Sequence, residues 1–175
     1  IMANESPRKI SDNFLASLKN FNFLSTSPVF VFVNPSVEEV TKITTCIENP
    51  ILQFHGDEED SFCQQFNQSF WKTIRVKDSQ SLIKIDDFPS ADAILLETFS
   101  KDVYGGTGKV FDWSLLEKIS LERKFVLAGG INPENIKEAV SMNPWCIDVN
   151  SGVESSLALK DKTLMDHIIK NFKDG

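Results

Sequence analysis

The chain has 175 residues, 41% of them hydrophobic and 25% charged, with 8 Gly and 7 Pro. That length buries roughly two-thirds of the unfolded surface, enough for one core, and the composition excludes collagen, disordered tails and low-complexity linkers. No apolar run approaches the roughly 20 residues of a membrane helix, and 18 basic against 25 acidic residues give a charge of −7, which disfavours nucleic-acid and anionic-lipid partners.

Cys46, Cys63 and Cys146 are an odd set without metal-ligand spacing, so neither a disulfide framework nor a zinc site is expected. His55 and His167 make no metal pattern with them. The expectation is a soluble cytoplasmic protein with no metal.

The opening Ile1-Met2-Ala3 reads as the end of a strand running into a turn at Asn4-Glu5-Ser6-Pro7. A chain that begins in this way is expected to have a further segment ahead of it. Residues 12–21 follow as a helix. Pro28-Val29-Phe30-Val31-Phe32-Val33 is an almost unbroken apolar run, the pattern of a parallel strand covered on both faces. Ser36 caps a helix reaching residue 48, with Glu39 as its capping-box partner. Ile51–Phe54 is the next strand, and Asp57 opens a helix to about residue 67. A strand at 72–76 precedes a short helix at 79–85. A strand at 93–96 precedes a glycine-rich loop and a helix at 114–119. The strand at 125–128 runs into Gly129-Gly130, with a helix from Pro133, a good first helical residue. A strand at 146–149, a Ser-Gly loop and a helix over 161–172 complete the chain.

Six clear β/α units follow one another, and the opening strand end makes seven. Such alternation means an α/β architecture with a parallel sheet. A flavodoxin-like open sheet normally uses five strands and a (β/α)8 barrel eight. The expectation is therefore one domain over residues 1–175, a (β/α)8 TIM barrel lacking its first β/α unit. The polar residues gather after the strand ends, and in a barrel those loops share the face that carries the chemistry.

Gly129-Gly130-Ile131-Asn132-Pro133-Glu134-Asn135 is a strand-to-helix turn whose glycines let a ligand approach the backbone. Unpaired N–H groups at the start of the helix behind it suit a phosphate. Asp148-Val149-Asn150-Ser151-Gly152-Val153-Glu154 offers small residues, a hydroxyl and a glycine one unit later. Either loop alone is weak evidence, because most such glycines serve turns. Two in the last two units match the usual phosphate site of a barrel.

Gly105-Gly106-Thr107-Gly108-Lys109 is not a P-loop, since Val110 follows Lys109 where Ser or Thr is required. It reads as a mobile cover over the barrel mouth, with Lys109 either a useful cation or a solvated loop lysine. Glu97, expected just past a strand end, is poorly solvated there and suits a general acid, or else pairs with a lysine. His55 at another strand end is more simply a structural residue bonded to backbone. Arg8 is either a fork for a carboxylate or a surface residue.

Four segments carry a resemblance: Leu52-Gln53-Phe54-His55-Gly56-Asp57-Glu58, Gly105-Gly106-Thr107-Gly108-Lys109-Val110-Phe111-Asp112-Trp113, Ala128-Gly129-Gly130-Ile131-Asn132-Pro133-Glu134-Asn135, and Asp148-Val149-Asn150-Ser151-Gly152-Val153-Glu154. In this order and spacing they closely resemble the phosphoribosylanthranilate isomerase family, and Ser6-Pro7-Arg8-Lys9-Ile10-Ser11 resembles the segment after that family's second strand. The resemblance implies a cofactor-free barrel that performs an Amadori rearrangement of N-(5-phosphoribosyl)anthranilate in tryptophan biosynthesis, as a monomer or homodimer. It places Glu97 on the general acid and Arg8 on the grip for the anthranilate carboxylate. It places Gly129, Gly130, Asn150, Ser151 and Gly152 on the phosphate and Asp148 on the sugar hydroxyls. Gln53 and His55 fall in the strand-end signature, on the substrate side.

The chain departs from the pattern in four ways. The family's acid is usually Asp, and here it is Glu97. Asn150 stands where Ser is common, and Ser156-Leu157-Ala158-Leu159 replaces a Pro-Gly turn. The family's general base is a cysteine in a Lys-Ile-Cys-Gly type motif at the end of the first strand. No such motif occurs here, and Cys46, Cys63 and Cys146 do not replace it by position. About 30 residues ahead of Ile1 would restore a barrel near the lower size limit of roughly 200. Other phosphate-binding barrels remain as alternatives, with an epimerase disfavoured by the lack of strand-end histidine ligands. So does a non-catalytic barrel that has lost its base.

Overall fold

Apolar strands covered on both faces dictate the architecture. β1 (Val29–Phe32) pairs in parallel with β2 (Ile51–Phe54), Phe30 opposite Leu52 and Phe32 opposite Phe54. β2 pairs in parallel with β3 (Phe70–Val76), Phe54 opposite Lys72. The computed structural model describes residues 1–99, 110–117 and 123–173. They fall into two compact units, the first made of Ile1–Thr73 with Asp86–Asp92 and the second of Ile74–Ile85 with the described part of Ala93–Gly175.

In the first unit, one face of the strands is aromatic. Phe54 lies 5.9 Å from Phe32, 5.9 Å from Phe62, 6.2 Å from Phe66 and 6.0 Å from Phe70, mixing stacked and edge-on contacts. The opposite face carries Val31, Gln53 and Trp71 in one row across the strands. α2 (Val37–Cys46) has the expected capping box, with Glu39 N donating to Ser36 Oγ and Ser36 N to Glu39 Oε2. Such a cap contributes about 1 kcal/mol. Val40 and Ile43, on one face of the helix, are fully buried.

Two helices are shorter than their sequence patterns suggest. α1 (Asp12–Leu18) is capped by Ser11 and ends in a turn where Phe21 N bonds Leu18 O. α3 (Asp60–Gln64) begins later than Asp57 because the intervening residues are committed elsewhere. Asp57 N donates to Asn34 Oδ1 at 2.7 Å, and Gly56 N to Glu58 Oε1 at 3.2 Å. The opening Ile1-Met2-Ala3 runs beside β1 through a bond from Met2 N to Val31 O, without forming a strand of its own.

Lys72 sits inside β3 on the aromatic face, where an unpaired ammonium would be intolerable. Its Nζ meets Glu58 Oε2 at 2.7 Å and Gly56 O at 2.8 Å, and lies over the Phe88 ring. Glu58 Oε1 in turn accepts Asn34 N at 2.7 Å. Both side chains of the pair are 3% exposed.

The second unit repeats the scheme. β4 (Ala93–Thr98), β5 (Phe125–Leu127) and β6 (Cys146–Ile147) are parallel neighbours in sequence order. Strands laid side by side in sequence order within each unit follow a barrel, not an open sheet whose order reverses at its centre. α4 (Ser114–Glu117) and α5 (Ile136–Ser141) are short, and α6 (Lys162–Lys173) closes the chain. A 3₁₀ segment at Ser79–Asp87 stands where a short helix is expected. Residues 154–160 form a small antiparallel hairpin of β7 (Glu154–Ser156) and β8 (Leu159–Lys160), an element the sequence pattern does not announce. Among the described residues, no helix is long and apolar enough to cross a membrane.

The Cys63 thiol in α3 is fully buried, and burial pushes its pKa up to about 12. Unfolded, it would ionise near 9. Its contribution to stability is therefore intact below about pH 9 and is lost as pH rises toward 12. Denaturant titrations across that window should show the decline, and Cys63→Ala should flatten it. Removing one member of the buried ion pair, by Glu58→Gln or Lys72→Met, should cost roughly 3–5 kcal/mol in urea unfolding. A loss under 1 kcal/mol would show that water reaches the pair.

Candidate active site

Glu97 is the fifth residue of β4 and only 8% exposed. The strand runs on through Thr98, so Glu97 lies within it and not beyond its end as the sequence pattern suggests. Its neighbour in the unit is the turn that follows β5. Gly129 has φ +86° and Gly130 φ +69°, the left-handed region that side chains avoid. A Cβ on Gly129 would also stand 2.9 Å from Thr98 N and Oγ1 and 3.1 Å from Glu97 Cγ. Glycine is required because the candidate acid and its neighbour occupy that space.

Side chains, not a helix, hold this turn. Asn132 Nδ2 and Asn135 Nδ2 both donate to Gly130 O, at 3.2 and 3.0 Å. Asn132 Oδ1 accepts from Glu134 N and Asn135 N, while Asn135 Oδ1 accepts from Asn132 N. These bonds keep residues 133–135 in a turn, so α5 starts at Ile136 and not at Pro133. The helix is too short and too displaced to act on an anion through its own N-terminus. What the turn offers is main-chain N–H groups at and after two glycines of positive φ, in a turn of the kind that can receive anions.

The loop after β6 seats against this turn. An ideal Cβ on Gly152 would fall 1.9 Å from Ile131 O and 2.9 Å from Asn132 Cα, so the two loops meet backbone to backbone. Ser151–Val153 is a single 3₁₀ turn preceded by Asn150, whose side chain does not cap it. Lys160, from β8, donates to Asn150 O at 2.7 Å, Asn150 Oδ1 at 2.5 Å and Glu154 Oε1 at 3.0 Å. Asp148 is exposed at the end of β6, its N–H bonded to Leu127 O. Among the described residues, the main-chain donors of Gly129, Gly130, Ile131, Ser151 and Gly152 meet no protein acceptor. The second unit thus brings Glu97, Gly129, Gly130, Asn150, Ser151 and Gly152 into one continuous set of contacts.

The first unit holds the other candidates. Gln53, on the face of β2 away from the aromatic cluster, and His55, the residue just past the strand, are 4% and 8% exposed, with Gln53 Nε2 and His55 Nδ1 3.3 Å apart. His55 N bonds Phe32 O. Arg8 is half-buried in a turn where its N–H donates to Ser6 Oγ and Lys9 N bonds Ser6 O. The expected cover, Gly105 to Lys109, lies outside the described residues. No group of His, Cys, Asp and Glu able to hold a metal occurs among the described residues.

Sequence reasoning missed Lys72, Asn132, Asn135 and Lys160. A lysine within the apolar strand Phe70–Val76 was the available signal for the first, since such a charge must find an anion. The two asparagines lie inside a recognised motif but read as turn formers. Nothing local marks Lys160.

A family profile described as N-(5'phosphoribosyl)anthranilate (PRA) isomerase matches residues 1–171. N-(5'-phosphoribosyl)anthranilate isomerase of Hahella chejuensis is 39% identical over 149 residues, 84% of this chain and 68% of that protein. The same enzyme of Legionella pneumophila strain Corby is 44% identical over 144 residues, 81% and 69% of the two chains. The crystal structure of phosphoribosyl anthranilate isomerase from Thermotoga maritima superposes with a TM-score of 0.88 at 29% identity, covering 99% of this chain and 86% of that one. A structure of the isomerase in complex with reduced 1-(o-carboxyphenylamino)-1-deoxyribulose 5-phosphate gives 0.82 at 27% identity, covering 99% and 85%.

Gly152→Ala tests the junction of the two loops. The new methyl displaces the loop from Ile131 O, and losing charged hydrogen bonds there should weaken inorganic phosphate binding about tenfold or more. Calorimetric titration of phosphate would show it. Unchanged affinity would place any anion elsewhere.

Proposed function

The chain belongs to the N-(5'-phosphoribosyl)anthranilate isomerase family, enzymes of tryptophan biosynthesis with a parallel α/β-barrel fold, and from this premise we propose the roles of its residues. Glu97 is the general acid. Gly129, Gly130, Asn150, Ser151 and Gly152 receive the substrate phosphate through main-chain N–H groups. Asp148 faces the sugar hydroxyls, Arg8 takes the anthranilate carboxylate, and Gln53 and His55 line the substrate side. The same proposal takes residues 1–175 as part of one barrel domain, working in the cytoplasm as a monomer or homodimer without a cofactor.

The chemistry is an isomerisation with no net gain or loss of atoms. Glu97 gives a proton to the furanose ring oxygen as the C1–O bond breaks, and the anilino nitrogen lone pair forms the C1=N bond of a Schiff base. Removal of the C2 proton by a base then yields an enolamine. Proton return at C1 and loss of the enol proton give the 2-ketone with a C1–N single bond. A carboxyl group delivers the first proton well because a positioned acid contributes typically 10²–10⁴-fold.

The observation that carries the reading is the contact between Glu97 Cγ and the space beside Gly129. It supports the reading because the Glu97 side chain lies beside a turn rich in main-chain N–H groups. Preorganised donors also answer the −7 charge, because the remote surface field is screened within about 10 Å while the local N–H groups are not.

Turnover is read as loss of phosphoribosylanthranilate fluorescence, with EDTA present and no cofactor added, on the natural gene product. Glu97→Gln should lower kcat by about 10²–10⁴ with little change in the melting temperature. Unchanged turnover would remove Glu97 from the acid role.

A further inference from the structure

The turn Gly129-Gly130 and the loop at Asn150-Ser151-Gly152 share a constructional device. A trans peptide is planar, with its C=O and the following N–H pointing in opposite directions, and no cis bond occurs among the described residues. Whatever grips the carbonyl of one residue therefore aims the N–H of the next. In the first turn the grip is the pair Asn132 and Asn135 on Gly130 O, which aims Ile131 N–H. In the second loop the corresponding carbonyl is that of Asn150. Lys160 Nζ holds it at 2.7 Å, closer than the local Val153 N at 3.4 Å.

We propose that Lys160 is a positioning residue of the phosphate cradle, holding the Asn150 carbonyl outward so that Ser151 N–H faces the phosphate. The inference rests on the phosphate reading of these loops given above. Lys160 reaches its place through the hairpin, whose register sets Glu154 opposite Lys160. The Glu154 side chain, 5% exposed, fixes the ammonium at 3.0 Å. Asn150 adds a second anchor, its Oδ1 lying 2.5 Å from the same nitrogen. This gives the asparagine a use that a serine at that position, with its shorter side chain, would not reproduce at the same place. The ammonium stays on the carbonyl side of this peptide, leaving the face toward which Ser151 N–H points open to a dianion.

The test is the pair Lys160→Met and Lys160→Arg, read by steady-state kinetics and by competition with inorganic phosphate. Lys160→Met should raise KM for phosphoribosylanthranilate about tenfold and weaken phosphate competition by the same factor, with kcat within about twofold. Lys160→Arg, which keeps the charge and the donors, should restore both to within about threefold. A residue serving only the stability of the hairpin would leave KM and phosphate competition unchanged, and that result overturns the proposal. So does a fall in kcat with phosphate competition intact. Should Lys160→Met fail to fold, Lys160→Gln takes its place with the same criteria. Two results in the unaltered protein bear on the premise. Absence of turnover defeats the isomerase reading. Turnover without phosphate competition defeats the cradle, and Lys160's role with it.

Discussion

A single buried carboxylate organises the rim of the first unit. Glu58 has left water, a transfer that costs several kcal/mol for an ion even after the protein relaxes. It is accepted there because three donors converge on it: Lys72 from β3, Asn34 N after β1 and Gly56 N after β2. Two donors come from just past the ends of β1 and β2, and the third from within β3. Their spacing is thus fixed by one charge, and the loops have little freedom to drift. The strand that carries Lys72 also carries the aromatic face, so charge and packing reinforce the same arrangement. Gln53, on the other face of β2, and His55, just past its end, stand on this rigid base.

In the second unit the corresponding work is done by glycines, two side-chain amides and one half-exposed lysine. Gly129 and Gly152 are glycines because of what stands next to them, Glu97 and Thr98 in one case and Ile131 O in the other. Two asparagines turn one peptide plane and a lysine turns another. The result is a set of oriented donors that needs no buried cation.

Much of this was legible in the residues, and the failures have a common cause. Val29–Phe32 and Ile51–Phe54 read as buried parallel strands, and the Ser36–Glu39 box fixed the start of α2, because those signals are local. The starts of α3 and α5 were misplaced because Asp57 N and the residues around Asn132 are bound by side chains that propensity does not weigh. The hairpin at 154–160 was hidden because Leu157-Ala158 lacks a turn signature, and Ala158 adopts φ 63° without being glycine. For function, composition and spacing reached a phosphate-binding barrel and stopped. The reaction came from the resemblance of whole motifs. The partners of Lys72 and Lys160 lie at distances along the chain that no periodicity reports.

The buried Cys63 gives the first unit a clock. A thiol with no exposed surface, and with its ionisation suppressed, exchanges with a reagent only during the moments when α3 lifts from the strands. The labelling rate at saturating reagent is then the opening rate itself, and at low reagent it reports the population of the open form. Cys46 at the end of α2, half-buried, samples a neighbouring element in the same experiment. The natural sequence therefore already carries two probes of how often its helices leave their places, with no label engineered into it.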